Sequence, residues 1–205
     1  MWFHCRVCLD VFSRRGKQEM KKKAVFLDRD GVINEEKGYV GFWKDFVFIE
    51  GVQQFLRKAK DYGYRLVIVT NQAGVAHGYY TEADYAVLTN AYTNALKDQG
   101  IELDFVAHCY HHVKGKRDDY RRESFWRKPN PGMIMQVAVA LNIDLARSVM
   151  IGDRETDLQA AQRAGIARRI LFCGAAKCTD ELGACVMSYA EVERLVFSRE
   201  PFSPL

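Results

Sequence analysis

AVFLDRDGVIN, residues 24–34, sets an apolar run fit for a buried strand directly against Asp28-Arg29-Asp30-Gly31. Two carboxylates two residues apart at a strand end repel one another, so a fold that keeps them there needs something to offset the repulsion. A cation is the obvious candidate. The rest of the chain has to be read for what else gathers at that edge.

Beyond residue 34 the pattern alternates. Short apolar runs at 24–28, 65–70, 104–108, 148–153 and 169–173 read as strands, and amphipathic stretches at 52–62, 81–99, 133–141 and 156–164 read as helices. Apolar strands separated by helices imply a parallel sheet covered on both faces. The expected fold is therefore α/β, a three-layer doubly wound parallel sheet. About 40 residues separate the first two strand ends, too few for a large cap domain between them. A single domain over 20–205 is expected. Residues 1–19 read as a dispensable extension, because Met20-Lys-Lys-Lys leads straight into the first strand.

Open parallel sheets bind ligands outside the carboxyl ends of their strands. Three of these ends are polar: Asp28-Arg29-Asp30-Gly31, Thr70-Asn71-Gln72, and Gly152-Asp153 with Asp157 one helical turn later. Lys128, before Pro129, starts another helix from the same edge. Carboxylates at this density suit a hard cation such as Mg²⁺. A lysine, a hydroxyl and an amide beside them suit phosphoryl transfer, where positioning and charge neutralisation dominate. One carboxylate can attack phosphorus while a second handles the proton. That reading makes Asp28 the nucleophile and Asp30 the acid/base.

These motifs, D-x-D-G, Thr-Asn, Lys-Pro and G-D-x-x-x-D, resemble the four motifs of the haloacid dehalogenase superfamily of phosphatases. FLDRDGVIN, IVTNQAGVAHG and RKPNPGM narrow the likeness to its heptose-bisphosphate and histidinol-phosphate phosphatase group, in order over residues 24–174. Gly38-Tyr39-Val40 and the GVAHG stretch look closer to the heptose branch. The resemblance implies Asp28 as nucleophile and Asp30 as general acid/base, with Mg²⁺ held by Asp28, the Asp30 carbonyl and Asp153. It also implies Thr70 and Asn71 as phosphoryl contacts, Lys128 as the neutralising cation, Arg127 in substrate recognition, and Asp157 as a partner of Lys128 or of a metal-bound water. The implied activity is Mg²⁺-dependent hydrolysis of a sugar phosphate, heptose bisphosphate first and histidinol phosphate second. A protein that keeps the fold only to bind is the non-enzymatic alternative.

One part of the group's pattern is broken. Members usually carry a zinc loop, C-x-H and then C-x-C before R-K-P. Here Cys109 and His111 remain, but Ser124 and Trp126 occupy the other positions. Structural zinc takes four N or S ligands, so no zinc is expected unless Cys5 and Cys8 supply the missing pair. Phe125 and Trp126 are expected to form a small aromatic core for the loop instead. Trp43 and Phe46 either cover the site or pack its edge, and His77 either meets substrate or caps a loop.

The net charge of +4 divides unevenly. Residues 1–23 hold seven Lys/Arg against two Asp/Glu, and residues 114–128 hold seven against three, so the remainder is acidic. Basic character confined to a tail and one loop argues against a nucleic-acid surface and suits an anionic small substrate. No apolar run approaches the roughly 18 residues of a membrane helix. Neither a nucleic-acid nor a membrane partner is expected. The N-terminus lacks the order of a signal peptide, so a cytoplasmic monomer with its six cysteines reduced is the expectation.

Overall fold

The computed structural model describes residues 20–173 and 183–198. The expectations for residues 1–19, including any part played by Cys5 and Cys8, lie outside these.

Six parallel strands form one sheet in the order β3-β2-β1-β4-β5-β6. They are β1 (Ala24–Leu27), β2 (Arg65–Asn71), β3 (Phe105–Cys109), β4 (Val149–Gly152), β5 (Arg168–Phe172) and β6 (Ala184–Val186). All four residues of β1 are buried, as befits a strand at the centre of a sheet covered on both faces. Alternation along the strands feeds two cores. Val25, Leu27, Leu66, Ile68, Val149 and Ile151 face one layer, and Ala24, Phe26, Val67, Val69 and Met150 face the other.

Helices α1 (Val52–Asp61), α3 (Glu82–Lys97) and α6 (Tyr189–Phe197) cover the first face. In α1, Val52, Phe55, Leu56 and Ala59 recur at helical spacing and are all fully buried. α3 opens on a reciprocal cap: the Thr81 hydroxyl accepts the Asp84 N–H at 3.1 Å, and the Asp84 carboxylate accepts the Thr81 N–H at 2.8 Å. Helices α4 (Gly132–Ala140) and α5 (Glu155–Ala164) cover the second face through Met133, Ile134, Val137, Ala160 and Ala161. α5 stops at Gly165, whose φ of 94° is left-handed and favours glycine.

The doubly wound expectation therefore holds, with element ends shifted by a residue or two. Among the described strands and α-helices, three went unread in the sequence: α2 (Gly74–His77), β6 and α6. β6 is a three-residue edge strand, too short to show alternation. α6 did carry a signal, in the helical spacing of Tyr189, Val192 and Val196. The reduced state expected of every cysteine is also corrected. Cys173, at the end of β5, and Cys185, in β6, are joined by a disulfide with Cα atoms 6.6 Å apart. Parallel pairing brings them together, since the Cys173 N–H donates to the Val186 carbonyl next to Cys185. Cys109 remains a buried thiol. Among the described residues, no helix is long and apolar enough to cross a membrane.

The chain winds from β1 out to β3 on one side and then crosses to β4 on the other. This reversal between β1 and β4 opens a crevice at their carboxyl ends.

Candidate active site

The crevice is a cavity of about 360 Å³ whose lining includes Asp28, Asp30, Asn71, Arg127, Lys128 and Asp157. Asp28 follows β1, Asp153 follows β4, and Asp157 lies in the first turn of α5. One carboxylate oxygen from each of these three lies within 4.8 Å of the others. Such closeness requires small residues alongside. A Cβ on Gly31 would fall 2.5 Å from Asp153 Oδ2, and a Cβ on Gly152 2.3 Å from the Asp157 Cβ.

Lys128 is the internal counter-charge. Its buried Nζ lies 3.0 Å from Asp28 Oδ1 and 2.8 Å from Asp157 Oδ1, and donates to the Val69 carbonyl at 2.7 Å. Asp28 Oδ1 also accepts the Arg29 N–H at 2.7 Å. Asp157 spends its second oxygen on the Arg154 N–H at 3.0 Å. Asp153 is different, because its Oδ1 is buried with no partner. A buried carboxylate oxygen left unsatisfied is costly. Together with the crowded triad, it makes this a site fit for a divalent cation.

Crowding shows in the ionisation of these groups. Burial, then the charges of Asp157 and Asp30, push Asp28 up to about 6 against the pull of Lys128. Burial, then Asp28 and Asp157, push Asp153 up to about 8. Lys128 is raised, because Asp157 and Asp28 together outweigh the opposing effect of its burial. A carboxyl raised above its ordinary value gives stability that is fully present below about pH 4 and lost as pH climbs through the folded value. The metal-free protein is therefore expected to lose melting temperature between about pH 5 and pH 9, and Mg²⁺ to reverse most of that loss. Thermal unfolding across this range with and without the ion checks it, and a flat metal-free profile would contradict it.

The carboxylates of Asp28 and Asp30 do not share one side-chain cation. The repulsion expected between them is relieved by sending the two side chains to separate partners. Asp28 meets Lys128. Asp30 turns to the fully buried Arg29, whose Nη2 reaches its two oxygens at 2.7 and 2.9 Å, and also accepts from Asn34 at 3.0 Å and Gln72 at 3.0 Å. Asp30 contributes no carboxylate to the triad.

Asn71 clasps the backbone of Lys128, donating to its carbonyl and accepting its N–H, both at 3.0 Å. The amide thus sets where the lysine enters the site. Thr70 is buried, and its hydroxyl accepts from Gln72 at 2.8 Å. Arg127 donates to the His111 carbonyl at 3.1 Å and lines the cavity. Phe46 is core, stacked on Tyr92 at 5.3 Å, with Trp43 stacked on it in turn, so the edge-packing alternative holds for this pair. His77 ends α2, near Tyr39, Tyr79 and His112, and is not in the cavity wall.

In the altered loop, Cys109 Sγ lies 3.8 Å from His111 Nδ1. Among the described residues, the only group of three or more metal-ligating side chains is the aspartate triad. Ser124 organises the turn that leads to Arg127: its hydroxyl accepts the Trp126 N–H at 3.2 Å and its carbonyl accepts from Arg127 and Asn130. The aromatic core expected of Phe125 and Trp126 is corrected. Both rings are exposed, and the loop is held elsewhere, by Tyr110 and Tyr120 packed against Val75, Tyr80 and Tyr85. Two partly buried tyrosines of the loop, rather than the two exposed rings of the turn, anchor it to the body of the protein.

A family model described as "HAD-hyrolase-like" matches residues 125–183. The chain is 42% identical over 154 residues to D-glycero-alpha-D-manno-heptose-1,7-bisphosphate 7-phosphatase of Photorhabdus laumondii, covering 75% of this chain and 84% of that protein. It is 45% identical over 152 residues to the beta-anomer enzyme of Vibrio cholerae, covering 74% and 82%. The chain belongs to the haloacid dehalogenase superfamily of phosphatases. Its fold superposes on the crystal structure of D,D-heptose 1.7-bisphosphate phosphatase from B. bronchiseptica, complexed with magnesium and phosphate. The TM-score there is 0.70 at 28% identity, covering 83% of this chain and 95% of that one. As a haloacid dehalogenase phosphatase, the protein is a phosphoric monoester hydrolase.

Three residues around this site receive no role from the sequence: Arg29, Gln72 and Tyr80. Arg29 is set apart by its complete burial, which its residue type does not announce. Gln72 and Tyr80 act through contacts that no local spacing announces.

Proposed function

We propose that the protein removes the 7-phosphate of D-glycero-D-manno-heptose 1,7-bisphosphate, through an aspartyl-phosphate intermediate and with Mg²⁺ bound. The observation that carries this reading is the close triad of Asp28, Asp153 and Asp157 in the crevice, with Lys128 paired to Asp28 and Asp157 and one Asp153 oxygen unpartnered. The names of the relatives at 42% and 45% identity support the choice of sugar.

Asp28 attacks phosphorus, forming a bond from its carboxylate oxygen while the bond to the sugar oxygen breaks. Asp30 gives its proton to that departing oxygen and later takes one from the water that attacks the acyl phosphate, which releases phosphate and frees Asp28. Lys128 holds negative charge on the phosphoryl oxygens, with Thr70 donating its hydroxyl and Asn71 fixing the lysine's backbone. Arg127, at the cavity wall, faces the rest of the anionic substrate. Asp28, the Asp30 carbonyl and Asp153 would hold Mg²⁺, which supplies charge neutralisation to the transferred group. Asp157 has both oxygens engaged by Lys128 and the Arg154 N–H, which suits an orienting role.

Relatives named for either anomer are about equally similar, so the test uses both. Mg²⁺-dependent phosphate release is measured from each heptose 1,7-bisphosphate anomer, with histidinol phosphate alongside. A clear preference for one heptose anomer is expected. Faster turnover of histidinol phosphate would replace the substrate, and no release from any of them would point to a binding protein on a phosphatase fold.

A further inference from the structure

Asp30 has to change partners with its proton during the reaction, yet it is not held by the metal-facing carboxylates. Its side chain is held by Arg29, Asn34 and Gln72, and the last of these connects it to another residue of the site. Gln72, buried at the end of β2, donates from the same Nε2 to Asp30 Oδ2 at 3.0 Å and to Thr70 Oγ1 at 2.8 Å. Its Oε1 accepts the Tyr80 hydroxyl at 2.6 Å.

The direction of these bonds matters. An amide turned the other way would set Oε1 against a carboxylate oxygen and present its NH₂ to the tyrosine hydroxyl. With Tyr80 donating to Oε1, the NH₂ end faces Asp30 and Thr70. That leaves the Thr70 hydroxyl proton free to be given away, because its oxygen already accepts.

Tyr80 is itself wedged in place. A Cβ on Gly41 or on Gly74 would each come within 2.2 Å of its ring, so two glycines from different segments make its slot. The ring is buried, and it also packs with Val75 and Tyr85. The hydroxyl that orients Gln72 is therefore fixed from three sides.

We infer that Gln72 and Tyr80 are positioning residues: Tyr80 fixes the amide of Gln72, and Gln72 holds the Asp30 carboxyl ready to protonate the leaving oxygen while keeping the Thr70 hydroxyl a donor. Neither residue forms or breaks a bond in the reaction. The inference rests on the proposed role of Asp30.

The test exploits the leaving group. A sugar alkoxide needs a proton to depart, whereas p-nitrophenolate leaves readily as its anion, so loss of acid assistance penalises the first far more than the second. kcat/KM is measured for heptose 1,7-bisphosphate and for p-nitrophenyl phosphate on the same preparations of wild type, Gln72→Leu, Tyr80→Phe and Asp30→Asn. The ratio of the two substrates cancels any difference in the folded fraction, which a merely structural defect would change without touching the ratio.

Gln72→Leu is expected to lose roughly tenfold or more on the sugar phosphate and no more than about threefold on the aryl ester. Tyr80→Phe is expected to follow in the same direction with a smaller loss, and stands in if the leucine variant does not fold. Should Asp30→Asn show the selective loss while both other variants lose equally on the two substrates, or lose nothing, the positioning role is overturned and the Asp30 assignment stands. Should Asp30→Asn itself show no selectivity, the acid role falls and the positioning role with it.

Discussion

Asp28→Asn is expected to lower phosphate release by roughly 10⁴-fold or more while leaving the protein folded. Asparagine matches the shape of the carboxylate, but its amide cannot form an acyl phosphate. Stability should not suffer. Asp28 is buried beside Asp157 and Asp30, and its ionisation is held up to about 6, so at neutral pH the charge is an expense that the fold tolerates. Removing the charge leaves Lys128 with Asp157 at 2.8 Å and the Val69 carbonyl at 2.7 Å. The metal-free melting temperature at pH 8 should accordingly stay level or rise. Activity within tenfold of wild type would remove Asp28 from the nucleophile's role, and a collapsed melting temperature would mean that its charge supports the fold.

Lys128→Met is expected to fail in the opposite sense, by destabilising the protein as well as silencing it. The ammonium is buried and meets two carboxylates and a carbonyl within 3.0 Å. Methionine fills much of its volume but leaves those acceptors facing an apolar chain, a loss of about 3–5 kcal/mol for a broken buried pair. For a chain of this size that is a fall of roughly 10 °C or more in melting temperature. Urea unfolding at pH 7.5 and again at pH 5 gives the check. The deficit should shrink at the lower pH, where Asp28 and Asp153 take up protons on their own account. An equal deficit at both values would show that packing, not charge, governs the site.

The part of this protein legible in its sequence is the part written in short-range pattern. AVFL running into Asp28 and VMIG running into Asp153 mark strand and rim in one stroke, and both stand where that reading puts them. The Lys128–Asp157 contact is one of the two alternatives that the family resemblance implied for Asp157. What stayed hidden depends on pairs far apart in the chain. Nothing near residue 72 says that its amide meets Asp30, 42 positions earlier, and nothing near Gly41 says that it makes room for Tyr80. Arg29 was passed over because burial, not residue type, makes it unusual. The loop misled in another way: adjacent Phe125 and Trp126 suggest a core, but neighbours on a tight turn cannot both point inward, and Tyr110 and Tyr120 take that place.

The strand order carries a consequence for how the molecule comes into being. Among the described residues β1 is the first strand to be made, yet one of its two neighbours, β4, follows more than a hundred residues later, with Val25 beside Val149 and the Ala24 N–H donating to the Ser148 hydroxyl. Until β4 is made, the nascent chain can lay β2 along β1 and β3 along β2 but has nothing to lay along the other edge of β1. Asp28 waits in that half-sheet without Lys128, Asp153 or Asp157. Contacts of such long separation close slowly. Synthesis through β4 and the first turn of α5 therefore closes the central sheet and completes the charge cluster around Asp28, so that a chain cut short before β4 carries Asp28 without Asp153 or Asp157.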